Sequence, residues 1–353
     1  MQILENIELK DYTTFKIGGL ARYFCEAKNR EDIEFAGRFA VEKNIPILVL
    51  GMGSNVLVSD SGFQGLVVIN RLEGLEVLDE GKILVRAQAG ELWDNFAKFT
   101  VEQGLSGAES LSGIPGTVGG AIVQNAGAYG QACESIIQEV MALDLFESKF
   151  IILSKAECQF SYRNSIFKSS NRRYLIISAV FQLSLDPGIR TSSYHDLANY
   201  FKNNSSPSIV EIRNAVLDIR SKKGYVILPN AENFKNAGSF YKNPVVTGEV
   251  LEKIKSIVEP LESKIELTAR PYYWDLGSNK YKVAAAKLLQ AVGFAKGYID
   301  GRVGISPKHS LSIINLGEAT AMDVVNFDKK IRATLLDKFG VQLESEVEMI
   351  GFN

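Results

Sequence analysis

Two stretches of bare backbone stand out for the chemistry they could do. GIPGTVGGAIVQNAGAYG, residues 113–130, holds six glycines, and GMGSNV, residues 51–56, follows the apolar run IPILVL. Glycine at such density serves positive φ, close packing of two elements, or a ligand that lies on the main chain itself. GMGSNV half matches the G-x-G-x-x-G pattern of dinucleotide loops, but that pattern needs a helix directly after the glycines, facing the pyrophosphate. Here NVLVSDSGF follows, a β-like run broken by turn residues. A nicotinamide-binding Rossmann domain is therefore disfavoured, while approach of turn amides to a phosphate stays open. In the longer stretch Pro115 has no N–H, but the amides of Gly116, Thr117, Val118, Gly119 and Gly120 could converge on an anion. The equal alternative is a helix packed tightly on a sheet.

Among side chains, scarcity is informative. Only His195 and His309 occur in 353 residues, which removes H-E-x-x-H zinc chemistry and leaves little for a Ser–His or Cys–His nucleophile. Cys25, Cys133 and Cys158 are odd in number and never spaced C-x-x-C, a pattern of buried or inert thiols rather than of a disulfide framework or thiolate metal site. Three other residues read as ordinary by pattern alone. Arg163 in SYRNSIF is an exposed loop arginine. Ser239, after Gly238, is a turn serine. Glu346 lies in VQLESEVEM, where Val341, Leu343, Val347 and Met349 alternate with Gln342, Glu344, Glu346 and Glu348, so that three glutamates share one strand face.

These residues must be positioned by elements that the periodicity outlines. Ile33, Ala36, Phe39 and Ala40 predict a helix over 31–43, followed by strands at 45–50, 55–58 and 65–70. A second helix is expected over 92–103, and strands over 141–146, 149–154 and 174–184. Residues 187–208 are polar and turn-rich, an excursion of a length that is often functional. Ser208 and Glu211 then make a capping box before Ile209, Ile212, Val216 and Ile219, a helix that should end before Gly224. Helices near 248–258, 281–292 and 319–338, with strands RVGIS and SLSIINL, complete a smaller C-terminal part. The class is α+β.

Composition narrows the partners. Hydrophobic residues at 46% and charged residues at 23%, with a net charge of −2 and no basic stripe, describe a globular chain with a core and no nucleic-acid footprint. The acidic N-terminus and the absence of a long apolar run lead to the expectation of a cytoplasmic protein with no membrane partner.

The sequence also resembles the FAD-dependent UDP-N-acetylenolpyruvoylglucosamine reductases along nearly its whole length. The matching motifs, in order, are TTFKIGG (13–19), LGMGSNVLVSD (50–60), IPGTVGGAIVQNAGAYG (114–130), FSYRNSIFK (160–168), NAGSFYKNP (236–244) and LESEV (343–347). The resemblance implies a two-part FAD-binding region of the vanillyl-alcohol oxidase type plus a smaller α/β substrate-binding domain. The implied boundaries are 1–69, 70–228 and 229–346, with a strand near 347–353 that could return to the first part.

It further implies that Gly51, Gly53, Ser54, Asn55, Gly116, Thr117, Gly119 and Gly120 hold noncovalent FAD. NADPH is implied as the hydride donor, and the enolpyruvyl ether of UDP-N-acetylglucosamine as the substrate reduced to UDP-N-acetylmuramate. The redox chemistry would be the flavin's, which accounts for the shortage of histidine. Arg163 is then the carboxylate clamp, Ser239 the proton donor and Glu346 a catalytic carboxylate. Tyr162, Lys242, Asn243 and His309 are expected to contact substrate. Tyr194 resembles the loop tyrosine of one subgroup, which closes over the uridine diphosphate. Ser345 departs from the proline common in the family. No metal is implied, and a monomer is expected. Competing readings are an FAD oxidase of similar fold, many of which tether flavin to a histidine that this chain lacks before residue 195, and a non-catalytic nucleotide-sugar binding protein.

Overall fold

The computed structural model describes residues 1–79, 81, 83–186, 195–226, 235–261 and 272–352. The chain forms two compact units, neither contiguous in sequence. The first comprises Met1–Glu8, Leu20–Gly53 and Phe63–Pro229, and the second Leu9–Gly19, Ser54–Gly62 and Asn230–Asn353.

In the first unit a four-stranded sheet has the order Leu4–Glu8, Leu20–Ala27, Phe63–Asn70, Ile47–Leu50. Its last three strands run parallel, with Val68 opposite both Cys25 and Val49. Helix α1 (Arg30–Glu42) covers it. Asn29 caps α1 by accepting the Asp32 N–H at 2.8 Å. Ile33, Ala36 and Ala40 recur at helical spacing and enter a core with Cys25, Val68, Leu143 and Ile177. Each large apolar side chain fully buried there contributes about 1.5–3 kcal/mol.

A five-stranded antiparallel sheet follows, ordered Lys149–Ser154, Ile137–Asp144, Tyr174–Gln182, Leu84–Gln88, Leu75–Asp79. Helix α2 (Trp93–Glu102) sets Trp93 and Phe96 against Phe181 of this sheet. Helix α3 (Val118–Gln124) lies inside the glycine-rich stretch and buries Val118 and Ile122 in the same core. Helices α4 (Ile166–Ser169), α5 (His195–Tyr200) and α6 (Ile209–Lys222) complete the described part. The Ser208–Glu211 capping box is present at the start of α6. The predicted excursion over 187–208 is therefore not all loop, since α5 lies within it.

The second unit holds α7 (Gly248–Val258), α8 (Ala285–Ala291) and α9 (Ala321–Phe339). They bury Leu251, Leu288, Phe327, Ile331 and Phe339 in one core with Phe15, Leu57 and Phe240. A four-stranded sheet runs Lys235–Asn236, Ile313–Asn315, Val303–Ile305, Ile299–Asp300, and a three-stranded one Val245–Thr247, Lys280–Val283, Tyr273–Asp275. The expected helix over 281–292 is thus a strand followed by the shorter α8. Tyr281 pairs with Val246 on one side and Asp275 on the other, and this pairing overrides the helical spacing. Strand Glu348–Ile350 pairs in parallel with Val56–Val58. The six residues before it do not form the expected regular strand. They are irregular apart from one bridge, Tyr241 to Ser345, and Glu346 sits in a bend.

Candidate active site

The first unit brings the two glycine loops together. Gly51 packs so closely on Thr117 that a Cβ there would lie 2.2 Å from its Oγ1. Gly119 packs on Ala89, where a Cβ would lie 3.1 Å from both the Cβ and the O of that residue. Gly53 and Gly116 have φ of 60° and 132°, conformations that favour glycine.

Of the five amides that could converge on an anion, those of Val118, Gly119 and Gly120 have partners within the chain. Val118 N–H donates to Glu91 O and Gly119 N–H to Ala89 O, both at 2.8 Å, and Gly120 N–H points to Thr117 Oγ1 at 3.4 Å. Three of the five amides are spent on fixing the loop, because the start of α3 must satisfy its own donors. Glu91 shapes the facing turn, its carboxylate accepting from the amides of Gly74 and Leu92 and from Asn95 Nδ2.

The far end of α3 is held by the SYRNSIFK segment. Arg163, itself at φ 55°, donates from Nη2 to Gly127 O at 2.9 Å and from Nη1 to Asn125 O at 3.4 Å. Ser165 Oγ donates to Val123 O at 2.7 Å, and Lys168 Nζ to Gln124 Oε1 at 2.5 Å. Two cations thus lie at the negative end of α3. Arg163 is half-buried with a fixed guanidinium, not a loose surface arginine. Tyr162 beside it is exposed, and the guanidinium carbon lies 5.6 Å from its ring centre.

In the second unit the irregular segments that carry Ser239 and Glu346 are joined by backbone hydrogen bonds. The Glu346 N–H donates to the O of Phe240, the residue after Ser239, at 2.9 Å, and Lys242 N–H donates to Glu344 O at 3.0 Å. Asn55 donates from Nδ2 to Glu346 O at 3.2 Å, and its own O accepts the Glu348 N–H. Arg332 of α9 donates to Leu343 O and pairs with Asp328. Gly238 has φ 76° with open space where a Cβ would be, so the turn before Ser239 needs glycine for its conformation and not for packing.

The residues expected to touch substrate are partly occupied. Lys242 pairs with Glu344 at 3.2 Å, and Asn243 Oδ1 accepts the Ala285 N–H that opens α8. His309 lies just before strand Ile313–Asn315, and its Nδ1 accepts the Leu311 N–H at 3.1 Å. Tyr194 lies outside the described residues. The three cysteines are buried and free. Burial pushes the thiols of Cys25 and Cys158 up to about 12 and raises that of Cys133 as well.

Sequence reasoning missed Asp94, Arg213 and Arg220, which surround Gly113. Each is one charge among several on a predicted helix, where a solvated side chain is the default. It also missed a cavity of about 400 Å³ lined by Lys28, Arg30, Leu72, Arg86, Gln88 and Ser178 among others. The cavity opens beyond the C-terminal ends of parallel strands Leu20–Ala27 and Phe63–Asn70, where ligands sit in open α/β sheets. No described helix is long and apolar enough to cross a membrane.

The paired glycine loops and the parallel sheet are those of an FAD-binding protein, and residues 21–146 match the family model of an FAD binding domain. Residues 229–350 match that of the UDP-N-acetylenolpyruvoylglucosamine reductase C-terminal domain. A UDP-N-acetylenolpyruvoylglucosamine reductase of Thermobifida fusca is 38% identical over 98% of this chain and 97% of its own. One of Flavobacterium johnsoniae is 33% identical over 99% and 100%. The chain belongs to the UDP-N-acetylenolpyruvoylglucosamine reductase family. The crystal structure of the Thermus caldophilus reductase covers 99% of both chains at 24% identity with a TM-score of 0.67, a likeness of fold.

FAD fits the loops of the first unit on one structural criterion. Gly120 is exposed, and a Cβ there would meet only Thr117 Oγ1, at 3.6 Å. Among the described residues nothing requires glycine in this first turn of α3, where glycine costs about 1 kcal/mol against alanine. A flat ligand laid against the main chain supplies the missing reason.

Proposed function

We propose that the chain is an NADPH-dependent flavoenzyme that reduces the enolpyruvyl ether of UDP-N-acetylglucosamine to UDP-N-acetylmuramate. It would work as a monomer in the cytoplasm, in the synthesis of peptidoglycan precursors. The observation that carries the reading is the family match along the whole chain, joined to the adjacency of Ser239 and Glu346. FAD, when bound, supplies hydride transfer from NADPH to the substrate alkene.

The protein's own residues hold and polarise. Gly51, Gly53, Gly116, Thr117, Gly119 and Gly120, with Ser54 and Asn55, hold the cofactor. Arg163 holds the substrate carboxylate, and its fixed guanidinium suits two parallel hydrogen bonds better than a mobile cation would. Negative charge that develops on that carboxylate during reduction is stabilised without reorganisation, because Arg163 is already anchored to the carbonyls of Asn125 and Gly127. Ser239 delivers the proton to the second alkene carbon, and Glu346, whose backbone bonds to that of Phe240, orients or stabilises. Tyr162, Tyr194, Lys242, Asn243 and His309 contact the nucleotide sugar.

The test is substrate-dependent oxidation of NADPH by purified protein, with the product identified by mass. NADPH oxidation that proceeds equally well without the enolpyruvyl nucleotide would overturn the reading.

A further inference from the structure

The glycine stretch opens at Gly113, whose two backbone polar atoms are both held by charged side chains that the catalytic reading leaves unused. Asp94, in the first turn of α2, accepts the Gly113 N–H on Oδ1 at 2.6 Å. The same carboxylate takes a two-pronged pair from Arg213 on α6, Nη1 to Oδ1 at 2.7 Å and Nη2 to Oδ2 at 2.8 Å. Arg220, two turns further along α6, donates from Nε to Gly113 O at 3.1 Å. Gly113 has φ 69°, and a Cβ there would lie 2.9 Å from Leu217 Cδ2 of α6. Trp93 adds its indole N–H to Leu111 O at 3.0 Å.

We propose that Asp94, Arg213 and Arg220 form a positioning latch that fixes Gly113 and thereby sets the Ile114–Thr117 loop and the first turn of α3 for FAD. The latch rests on the cofactor reading above. Its physical ground is the freedom of the segment it precedes. Gly116, Gly119 and Gly120 lose more conformational entropy on ordering than other residues, and a ligand that meets an unordered loop must bear that cost itself. The other end of the loop is already tied to residues 89–93 through Val118, Gly119 and the Trp93 N–H to Gly116 O. Gly113 is the end that needs an anchor. Charge-assisted, two-pronged bonds hold direction as well as distance. Burial alone would raise the Asp94 carboxyl, but Arg213 and the Gly113 N–H outweigh it and hold it below the ordinary carboxylate range, so that carboxylate stays charged at neutral pH.

The experiment compares wild type with Asp94→Asn and Arg213→Lys, the second keeping the charge and losing the fork. Release of FAD from the holoprotein on dilution is followed by flavin fluorescence, the visible circular dichroism of bound flavin is recorded, and the urea midpoint of the FAD-free protein is measured. Both variants are expected to hold FAD about tenfold or more weakly, the scale on which outer partners of a ligand site act. The dichroism should change, and the FAD-free midpoint should stay close to wild type in Arg213→Lys, which keeps the charge, and fall in Asp94→Asn, which loses the ion pair. Wild-type retention and dichroism in the variants, with or without a lower midpoint, would overturn the latch. Should Asp94→Asn unfold the FAD-free protein, Arg220→Lys, which keeps a donor near Gly113 O, decides by the same two flavin readouts. A wild-type protein that takes up no FAD would overturn the cofactor reading itself, a result distinguishable from the failure of the latch alone.

Discussion

A serine hydroxyl is a very weak acid, so Ser239 can give up a proton only where a strong base develops beside it and its own anion is supported. Ser239→Ala should leave FAD binding and its reduction by NADPH near wild type, while slowing substrate reduction by about 10²- to 10⁴-fold. Anaerobic stopped-flow of the two half-reactions checks this, and equal slowing of both would point to damage instead. Arg163→Lys should slow the same half-reaction by about 10²-fold or more, because a point charge cannot reproduce a planar fork anchored at two carbonyls. Away from the site, Asp144 is buried, and hydrogen bonds from Arg173, with the amides of Phe146 and Glu147, hold its carboxyl below the ordinary range. A lowered folded pKa contributes stability that is present above the unfolded value of about 3.9 and is lost as pH falls through the folded value. The gap in thermal midpoint between wild type and Asp144→Asn should therefore be full at pH 7 and close as the pH drops below about 4. A gap that widens on acidification would contradict the sign. Of these residues, Arg163 and Ser239 were legible only as members of motifs. Their composition alone favoured a surface arginine and a turn serine, since nothing local in the sequence reveals that one guanidinium will cap α3.

Helix ends show where local sequence suffices and where it does not. The start of α6 was readable because the capping box is written within four residues, Ser208 to Glu211. The start of α9 is only half local. Thr320 and Asp323 form its capping box, but Asp60, from a distant segment, also accepts the N–H of Ala321 and Met322 at 2.8 and 3.1 Å. Asp60→Ala should cost about 0.5–2 kcal/mol in urea unfolding, the range for a lost cap, and a neutral result would show that Thr320 suffices. Lys280–Val283 misled for the same reason, because its identity as a strand is settled by partners on two other segments. In α3 the glycines divide by cause. Gly119 is pressed on Ala89, whereas a Cβ at Gly120 would make only an ordinary contact with Thr117 Oγ1. Gly120→Ala should thus leave the FAD-free protein as stable as wild type, or up to about 1 kcal/mol more so, and yet weaken FAD binding. Full FAD affinity in this variant would remove the ligand as the reason for glycine there.

At the scale of the molecule, the sequence displayed the α+β class and the order of the motifs, but not how segments are shared out. Leu9–Gly19 and Ser54–Gly62 belong to the second unit although they lie among residues of the first. Strand Val56–Val58 earns that place through its parallel partner Glu348–Ile350, nearly three hundred residues later. Period-two patterning marks a strand without naming its partner. No described cysteine is exposed, so FAD should be held without a covalent bond, and acid precipitation should leave all yellow colour in the supernatant. The central claim is the reductase activity itself, and one anaerobic experiment addresses it most directly. NADPH is added to the purified, flavin-loaded protein until the yellow absorbance is lost, and the enolpyruvyl ether of UDP-N-acetylglucosamine is then added without oxygen. The account expects the absorbance to return in proportion to the nucleotide sugar added, with UDP-N-acetylmuramate formed in equal amount. Absorbance that stays lost with this substrate and returns only when air is admitted would contradict it.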